Sequence, residues 1–330
     1  MSHTHIQALV RLLHTHPRDQ TLFSYILSIY YDSTAHSNTY GGSLPIGDTS
    51  YILSNAMNVQ RLVIRGLLAS TVLLSQALHA SHSTLRTIVI TVDADIIADA
   101  QLIGRLPYLE DLELTSHASW GHVSGWTIPT LRKLSWTFGT LSMQSTRYQS
   151  SKGALAFLER CDFPHLRGLG LGPHYSRPEA TRNTLVSMLA KSQEVERLEL
   201  GLLIHPDLFE RILPDLQVKT LDFKGTSPCP EMVIFLHPSV SRVCVAAGPS
   251  LDSDDFWRVL EVLLDEPSTV TEIQVDVAPS VVEDFTWELG NEPSSPVIEF
   301  IGQLVPWATE LARRGIRMID PTRTPLVLES

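Results

Sequence analysis

The chain has 330 residues, 43% of them hydrophobic and 18% charged, with 6 Trp, 8 Tyr and 10 Phe. That is enough apolar side chain for a packed core, and it excludes a disordered chain. Lys and Arg number 25 against 36 Asp and Glu, a net charge of −11, which excludes a general nucleic-acid binder needing a basic footprint.

The first residues, Met1-Ser2-His3-Thr4-His5, lack a basic start followed by an apolar run, so no signal peptide is expected. His3-x-His5 and His14-x-His16 are the densest histidine pairs. On a helix, residues two apart point about 200° apart, so neither pair converges on a metal. Solvated histidines are expected, with no metal and no cofactor.

From Ile26 onward one pattern recurs: apolar, two variable residues, apolar, one variable, apolar. Its middle positions are Ile29, Leu62, Ile88, Leu112, Leu134, Leu169, Leu198, Leu221, Val243 and Ile273, with a degenerate last copy at Ile316 and Met318. The last two apolar positions of each unit are two apart, so they point to one face of a strand, and the residues between them point to the other. Each unit is therefore a short strand followed by a return. Helical returns are expected over Asp95–Leu106, Gly153–Cys161, Glu179–Ser192, Asp207–Leu213, Asp254–Leu264 and Val297–Arg314, with Gly315 as a C-cap. Residues 32–50, rich in Ser, Thr and Gly, are expected to be a flexible insertion. Between Arg65 and Arg86 no residue is charged, but Leu67, Thr71, Leu74 and Leu78 share one side, which predicts an amphipathic helix rather than a membrane span.

One strand per unit with a return on one side predicts an α/β solenoid, a horseshoe carrying a parallel sheet of about eleven short strands. It would run through residues 1–330 as a single domain. The three cysteines, Cys161, Cys229 and Cys244, form no C-x-x-C pair. This argues against a disulfide framework and suits a reducing compartment, cytoplasmic or nuclear.

The pattern resembles a leucine-rich repeat, most clearly in Leu109-Glu110-Asp111-Leu112-Glu113-Leu114, Leu131-Arg132-Lys133-Leu134-Ser135-Trp136 and Val195-Glu196-Arg197-Leu198-Glu199-Leu200. The irregular spacing and an opening helix at Ile6–Leu13 are similar to the repeat region of F-box proteins from mushroom-forming fungi. That resemblance implies a part that presents a substrate protein to a ubiquitin ligase. Two departures stand beside it. The Asn that a standard repeat carries three residues past its last apolar position is absent, as at Asp93, His117 and Gly139. A Leu-Pro-led docking segment is also expected to be missing from this chain.

No G-x-S-x-G, H-E-x-x-H or P-loop occurs, so the expected function is binding of a partner protein by a monomer, without catalysis. Nucleic acid and membrane are not expected partners. The Gly168–Gly172 run places its glycines on the exposed strand face, as a bare patch. Candidate partner-binding positions on that face are Arg61, Arg65, Asp111, Glu113, Lys133, Gly170, Arg197, Glu199, Asp222, Arg242 and Gln274. The alternative is a solvated face whose opposite charges pair, as Asp111 with Lys133 or Arg242 with Glu272. On the rim, Trp120, His122 and Trp126 either anchor an interface or belong to a loop folded back on the repeats. Residues 252–299 hold 13 acids against Arg258 alone. They either dock a basic partner or serve as a polar end cap.

Overall fold

The computed structural model describes residues 21–32, 46–65, 71–92, 100–116, 120–138, 153–172, 178–192, 194–200, 213–223, 230–247, 254–277, 285–287 and 295–326. Eleven strands follow one another in sheet order as they do in the chain. The chain divides into two compact units, Met1–Arg167 with Ala190–Glu194, and Gly168–Leu189 with Val195–Ser330.

The first unit holds β1 (Ser28–Asp32), β2 (Arg61–Arg65), β3 (Thr87–Val92), β4 (Asp111–Ser116) and β5 (Lys133–Phe138), all in parallel register. The second holds β6 (Gly168–Leu171), β7 (Arg197–Leu200), β8 (Thr220–Phe223), β9 (Arg242–Ala247), β10 (Glu272–Val277) and β11 (Arg317–Ile319), also parallel. The α/β solenoid-like arrangement expected from the repeat is therefore present. The middle apolar residues stack in register, Ile29 on Leu62 on Ile88 on Leu112 on Leu134 in one unit. In the other, Leu169, Leu198, Leu221, Val243 and Ile273 do the same. The last copy is a correction: Ile273 pairs with Met318, so Met318 takes the middle position and Ile316 precedes the strand. The irregular 315–318 stretch hid this shift.

Strands β2 to β5 and β8 to β10 each start on a shared acceptor. The amides of Gln60 and Arg61 both donate to the carbonyl of Leu27, those of Arg86 and Thr87 to Gln60, and those of Glu110 and Asp111 to Arg86. The second unit repeats this with Lys219 and Thr220 on Glu196, Ser241 and Arg242 on Lys219, and Thr271 and Glu272 on Ser241. A second ladder, of hydroxyls, sits one residue before the first apolar position. Thr84 donates to Val59 at 2.9 Å, Thr130 to Leu109 at 2.8 Å, Ser239 to Val218 at 3.0 Å and Thr269 to Val240 at 3.0 Å. Each acceptor opens the preceding repeat, so the ladder performs at the start of the strands the backbone capping that the missing Asn performs past their end.

The returns agree in part with the expected helices. Helices cover 153–160, Pro178–Lys191, Asp254–Asp265 and Ser295–Arg313. The amphipathic segment is a helix over Thr71–Ala80. Of the Asp95–Leu106 return, residues 95–99 lie outside the described ones; Ala100 is helical and a 3-10 turn follows at Gln101–Arg105. A helix at Ile46–Asn55 begins inside the expected insertion, whose residues 33–45 lie outside the described ones, as do Ile6–Leu13 and 207–212. Gly315 adopts φ 80°, with Ile316 N–H donating to Leu311 and Gly315 N–H to Ala312. This is the six-to-one and five-to-two pair of a Schellman cap, closed by buried Ile316 and Leu311.

In the acidic stretch, the Asp254–Asp265 helix buries Phe256, Val259, Leu260 and Leu263 and exposes Asp254, Asp255, Glu261 and Asp265. Asp254 and Asp255 lie in its first turn, where the helix dipole favours them.

Candidate functional site

Strand alternation places every candidate strand residue with a described side chain on the sheet face away from the stacked apolar ladder, as expected. Whether that face is open differs between the two units. In the first unit, a middle row runs Tyr30, Val63, Val89, Glu113, Ser135, and the row before it runs Ser28, Arg61, Thr87, Asp111, Lys133. Tyr30 is 59% exposed. Arg61, Glu113 and Lys133 are exposed, and Asp111, Val89 and Ser135 are half-buried. The side chain of Arg65 lies outside the described ones. Val63 is buried, at 4% exposure; the rest of this face is open, mixed in charge and fringed by the half-buried Thr87, Thr91, Thr115 and Thr137.

The second unit corrects the expectation. Its middle row, Gly170, Glu199, Asp222, Cys244 and Gln274, is buried throughout, with Glu199 at 4%, Asp222 at 7% and Gln274 at 7% exposure. The glycine run is thus no open patch. Alternation tells which face a residue takes, not whether that face meets solvent. The sequence signal for two-sided burial is the near-continuous apolar run Val243-Cys244-Val245-Ala246-Ala247.

Burying charge requires pairing, and the row before supplies it. Arg197 reaches Glu199 at 3.2 Å and also pairs with Asp222. Arg242 donates its Nε to Glu272 Oε2 at 2.7 Å, and Arg317 meets the same carboxylate through Oε1. Burial works against the charge of Arg197, but Asp222 and Glu199 outweigh it and hold the guanidinium above its ordinary range. The hydrogen bond from Arg242, helped by the charge of Arg317, holds the Glu272 carboxyl below the usual carboxylate range. Burial, with the nearby Asp222 charge, pushes the Cys244 thiol up to about 12. Arg197, Glu199, Asp222, Arg242 and Gln274 therefore serve the interior of the second unit and do not form an open wall.

The rim tryptophans follow the folded-back alternative, which corrects their reading as interface anchors. Trp120 and Trp126 are 0% and 4% exposed. They pack with Trp136 and Phe157 at ring-centre distances of 4.9–6.4 Å. The turn is pinned on both sides. Trp120 Nε1 donates to Ser116 Oγ at 2.6 Å, Asp162 N–H to the Trp126 carbonyl at 2.8 Å, and the Arg160 guanidinium to the Val123 carbonyl at 2.9 Å. His122 alone of the three stays exposed.

Among the described residues, no three His, Cys, Asp or Glu are placed to hold a metal ion; His3, His5, His14 and His16 lie outside them. No helix among them is long and apolar enough to cross a membrane.

No known protein family matches the chain, and no curated protein matches it. Among solved structures, the crystal structure of a Bacteroides fragilis protein, a structural-genomics target, is similar over 97% of this chain and 72% of its own, with 12% identity and a TM-score of 0.40. The fold assigned above rests on the strand register.

Proposed function

We propose that the protein acts by binding a partner protein on the open sheet face of its first unit, without catalysis. The observation that carries this reading is the contrast between the units: the row from Tyr30 to Ser135 reaches solvent at every position but the buried Val63, while the equivalent row in the second unit is interior. Arg61, Asp111, Glu113 and Lys133 offer charges of both signs about one strand spacing of 4.8 Å or two apart, beside the exposed Tyr30 and the half-buried Val89. A protein surface can answer both signs and the apolar lane at once, whereas a nucleic-acid backbone answers only the bases.

The test is recovery of partners from the native cell with the wild type and with Arg61→Glu, Asp111→Lys, Glu113→Lys and Lys133→Glu combined. A control reverses Arg86 and Glu110, an exposed pair 2.5 Å apart outside these rows. A partner lost only with the four face substitutions supports the reading. Identical recovery from all three proteins overturns it.

A second reading rests on the L-x-x-L-x-L strands and their resemblance to the fungal F-box repeats: the bound protein is a substrate presented to a ubiquitin ligase. Stabilisation of the recovered partner when this gene is deleted supports that reading. An unchanged partner lifetime counts against it.

A further inference from the structure

The sheet closes on a hairpin. β11 runs into Asp320-Pro321-Thr322-Arg323, a turn in which Arg323 N–H donates to the Asp320 carbonyl at 2.9 Å. Asp first and Pro second suit such a turn. Arg323 stands at φ 70°, in the left-handed region that favours glycine. The returning arm lies along the edge of β11. Asp320 N–H donates to the Thr324 carbonyl at 3.0 Å, Leu326 N–H donates to the Met318 carbonyl at 2.9 Å, and Ile319 bridges Pro325 antiparallel.

A buried carboxylate holds the hairpin shut. Asp320 is 1% exposed. Its Oδ1 accepts from Thr322 Oγ1 at 2.6 Å and from Thr324 N–H at 2.9 Å, and its Oδ2 accepts from Trp287 N–H at 3.1 Å. The Thr324 carbonyl accepts from Trp287 Nε1 at 2.8 Å. The Thr322 and Thr324 hydroxyls also touch, at 2.9 Å. A hydroxyl has one proton, and that of Thr322 goes to Asp320, so Thr324 donates to Thr322. Thr322, Arg323 and Pro325 are exposed, and Thr324 is half-buried.

We propose that Thr324 is phosphorylated by a proline-directed protein kinase and that the phosphate releases this hairpin from the sheet edge. Thr324 precedes Pro325, which biases it to extended backbone, the form a kinase cleft takes. Ser227 and Ser295 also precede prolines, but Ser227 and the Ser295 side chain lie outside the described ones. An arm at the sheet edge opens locally at low cost, which gives the kinase access. The γ-phosphoryl group of ATP passes to Thr324 Oγ1: the Oγ1–P bond forms, the bond from phosphorus to the ADP oxygen breaks, and the hydroxyl proton goes to the kinase's catalytic carboxylate. Thr324 then has no proton to give Thr322. Its phosphate carries a charge of about −2 and competes with Asp320 for the Thr322 proton. One hydroxyl separates this dianion from a carboxylate buried away from water, where like charges repel strongly. Opening separates them, lets Arg323 leave the left-handed region, uncovers the Asp320 N–H and the Met318 carbonyl, and frees Trp287.

The test treats the full chain and Thr324→Ala with a recombinant mitogen-activated protein kinase and ATP, and maps phosphate by mass spectrometry. Hydrogen exchange of residues 318–326 is then followed in both, and in untreated Thr324→Glu and Thr324→Gln. Phosphate on Thr324 is expected, with exchange at least about tenfold faster than in the unmodified chain. Thr324→Glu should shift the same way, while Thr324→Gln and kinase-treated Thr324→Ala stay near the wild type. The glutamine variant separates charge from bulk. No phosphate on Thr324, exchange unchanged by it, or acceleration in Thr324→Gln equal to that in Thr324→Glu overturns the proposal.

Discussion

The hydroxyl of Thr130 donates to the carbonyl of Leu109 at 2.8 Å, tying the turn before β5 to the residue that opens the preceding repeat. Thr84, Ser239 and Thr269 make the same bond to Val59, Val218 and Val240. Replacing Thr130 by Val keeps the shape and removes the donor. The expected loss is about 1–2 kcal/mol, since the carbonyl is left without its partner. Thr269→Val should cost a similar amount, with the two effects adding because the bonds share no residue. Urea unfolding midpoints measure this, and unchanged midpoints in both variants would show the ladder to be incidental.

Gly104 and Gly125 are held to glycine by close approach. A Cβ on Gly104 would lie 2.3 Å from Trp126 Cδ1, and one on Gly125 would lie 2.1 Å from the Arg160 carbonyl oxygen. Alanine at either position must displace the Trp120–Trp126–Phe157 cluster or the backbone beside it, at an expected cost of about 1–3 kcal/mol. Near-ultraviolet circular dichroism should lose part of its tryptophan signal in both variants. A wild-type spectrum and melting temperature would contradict the packing described.

Glu272 bridges Arg242 and Arg317, and its carboxyl titrates below the usual range in the folded protein. A group depressed in this way stabilises the fold above its unfolded value, about 4.3, and that contribution is lost as pH falls through the folded value. Stability should therefore decline on acidification below about pH 4.5, with a shallower decline in Glu272→Gln, which is the less stable protein at neutral pH. Parallel acid-unfolding curves for the two proteins would exclude this contribution.

The buried thiols of Cys161 and Cys244 are each pushed up to about 12, chiefly by burial. The thiolate is the reactive form, so at pH 8 neither should react with a thiol reagent while the protein is folded. In a Cys229→Ser background, the native protein should show no fast-reacting thiol and the denatured protein two. Rapid modification of either in the folded state would mean that its surroundings are open.

The apolar spacing made the strands legible, because a period of two residues is a direct consequence of the pleat. Ten of the eleven middle positions, from Ile29 to Ile273, take their expected place in the register. The candidate site was legible only in part. Arg61, Glu113 and Lys133 are exposed as the alternation implies. Glu199, Asp222 and Gln274 obey the same alternation and are buried, because alternation does not record what covers a sheet face and the apolar run at 243–247 marks it on one strand only. Trp120 and Trp126 lie among Gly and Ser, which reads as a mobile loop. What fixes them is Arg160 and Asp162, distant in sequence and without a motif. The hydroxyl ladder left a trace at Thr84, Thr130, Ser239 and Thr269, but Tyr108, His165, Glu194 and Gln217 interrupt it.

The shared carbonyls at the strand starts give the chain a direction. Arg86 and Thr87 find their acceptor on Gln60, and Gln60 is set only once its own amide and that of Arg61 rest on Leu27. Each repeat thus serves as the template for the next, and none fixes its own pairing. Within each unit, a chain emerging from the ribosome can lay down its strands in the order of synthesis. A deletion of one early repeat would leave the one after it seeking its acceptor on a new neighbour, while every later one keeps its own.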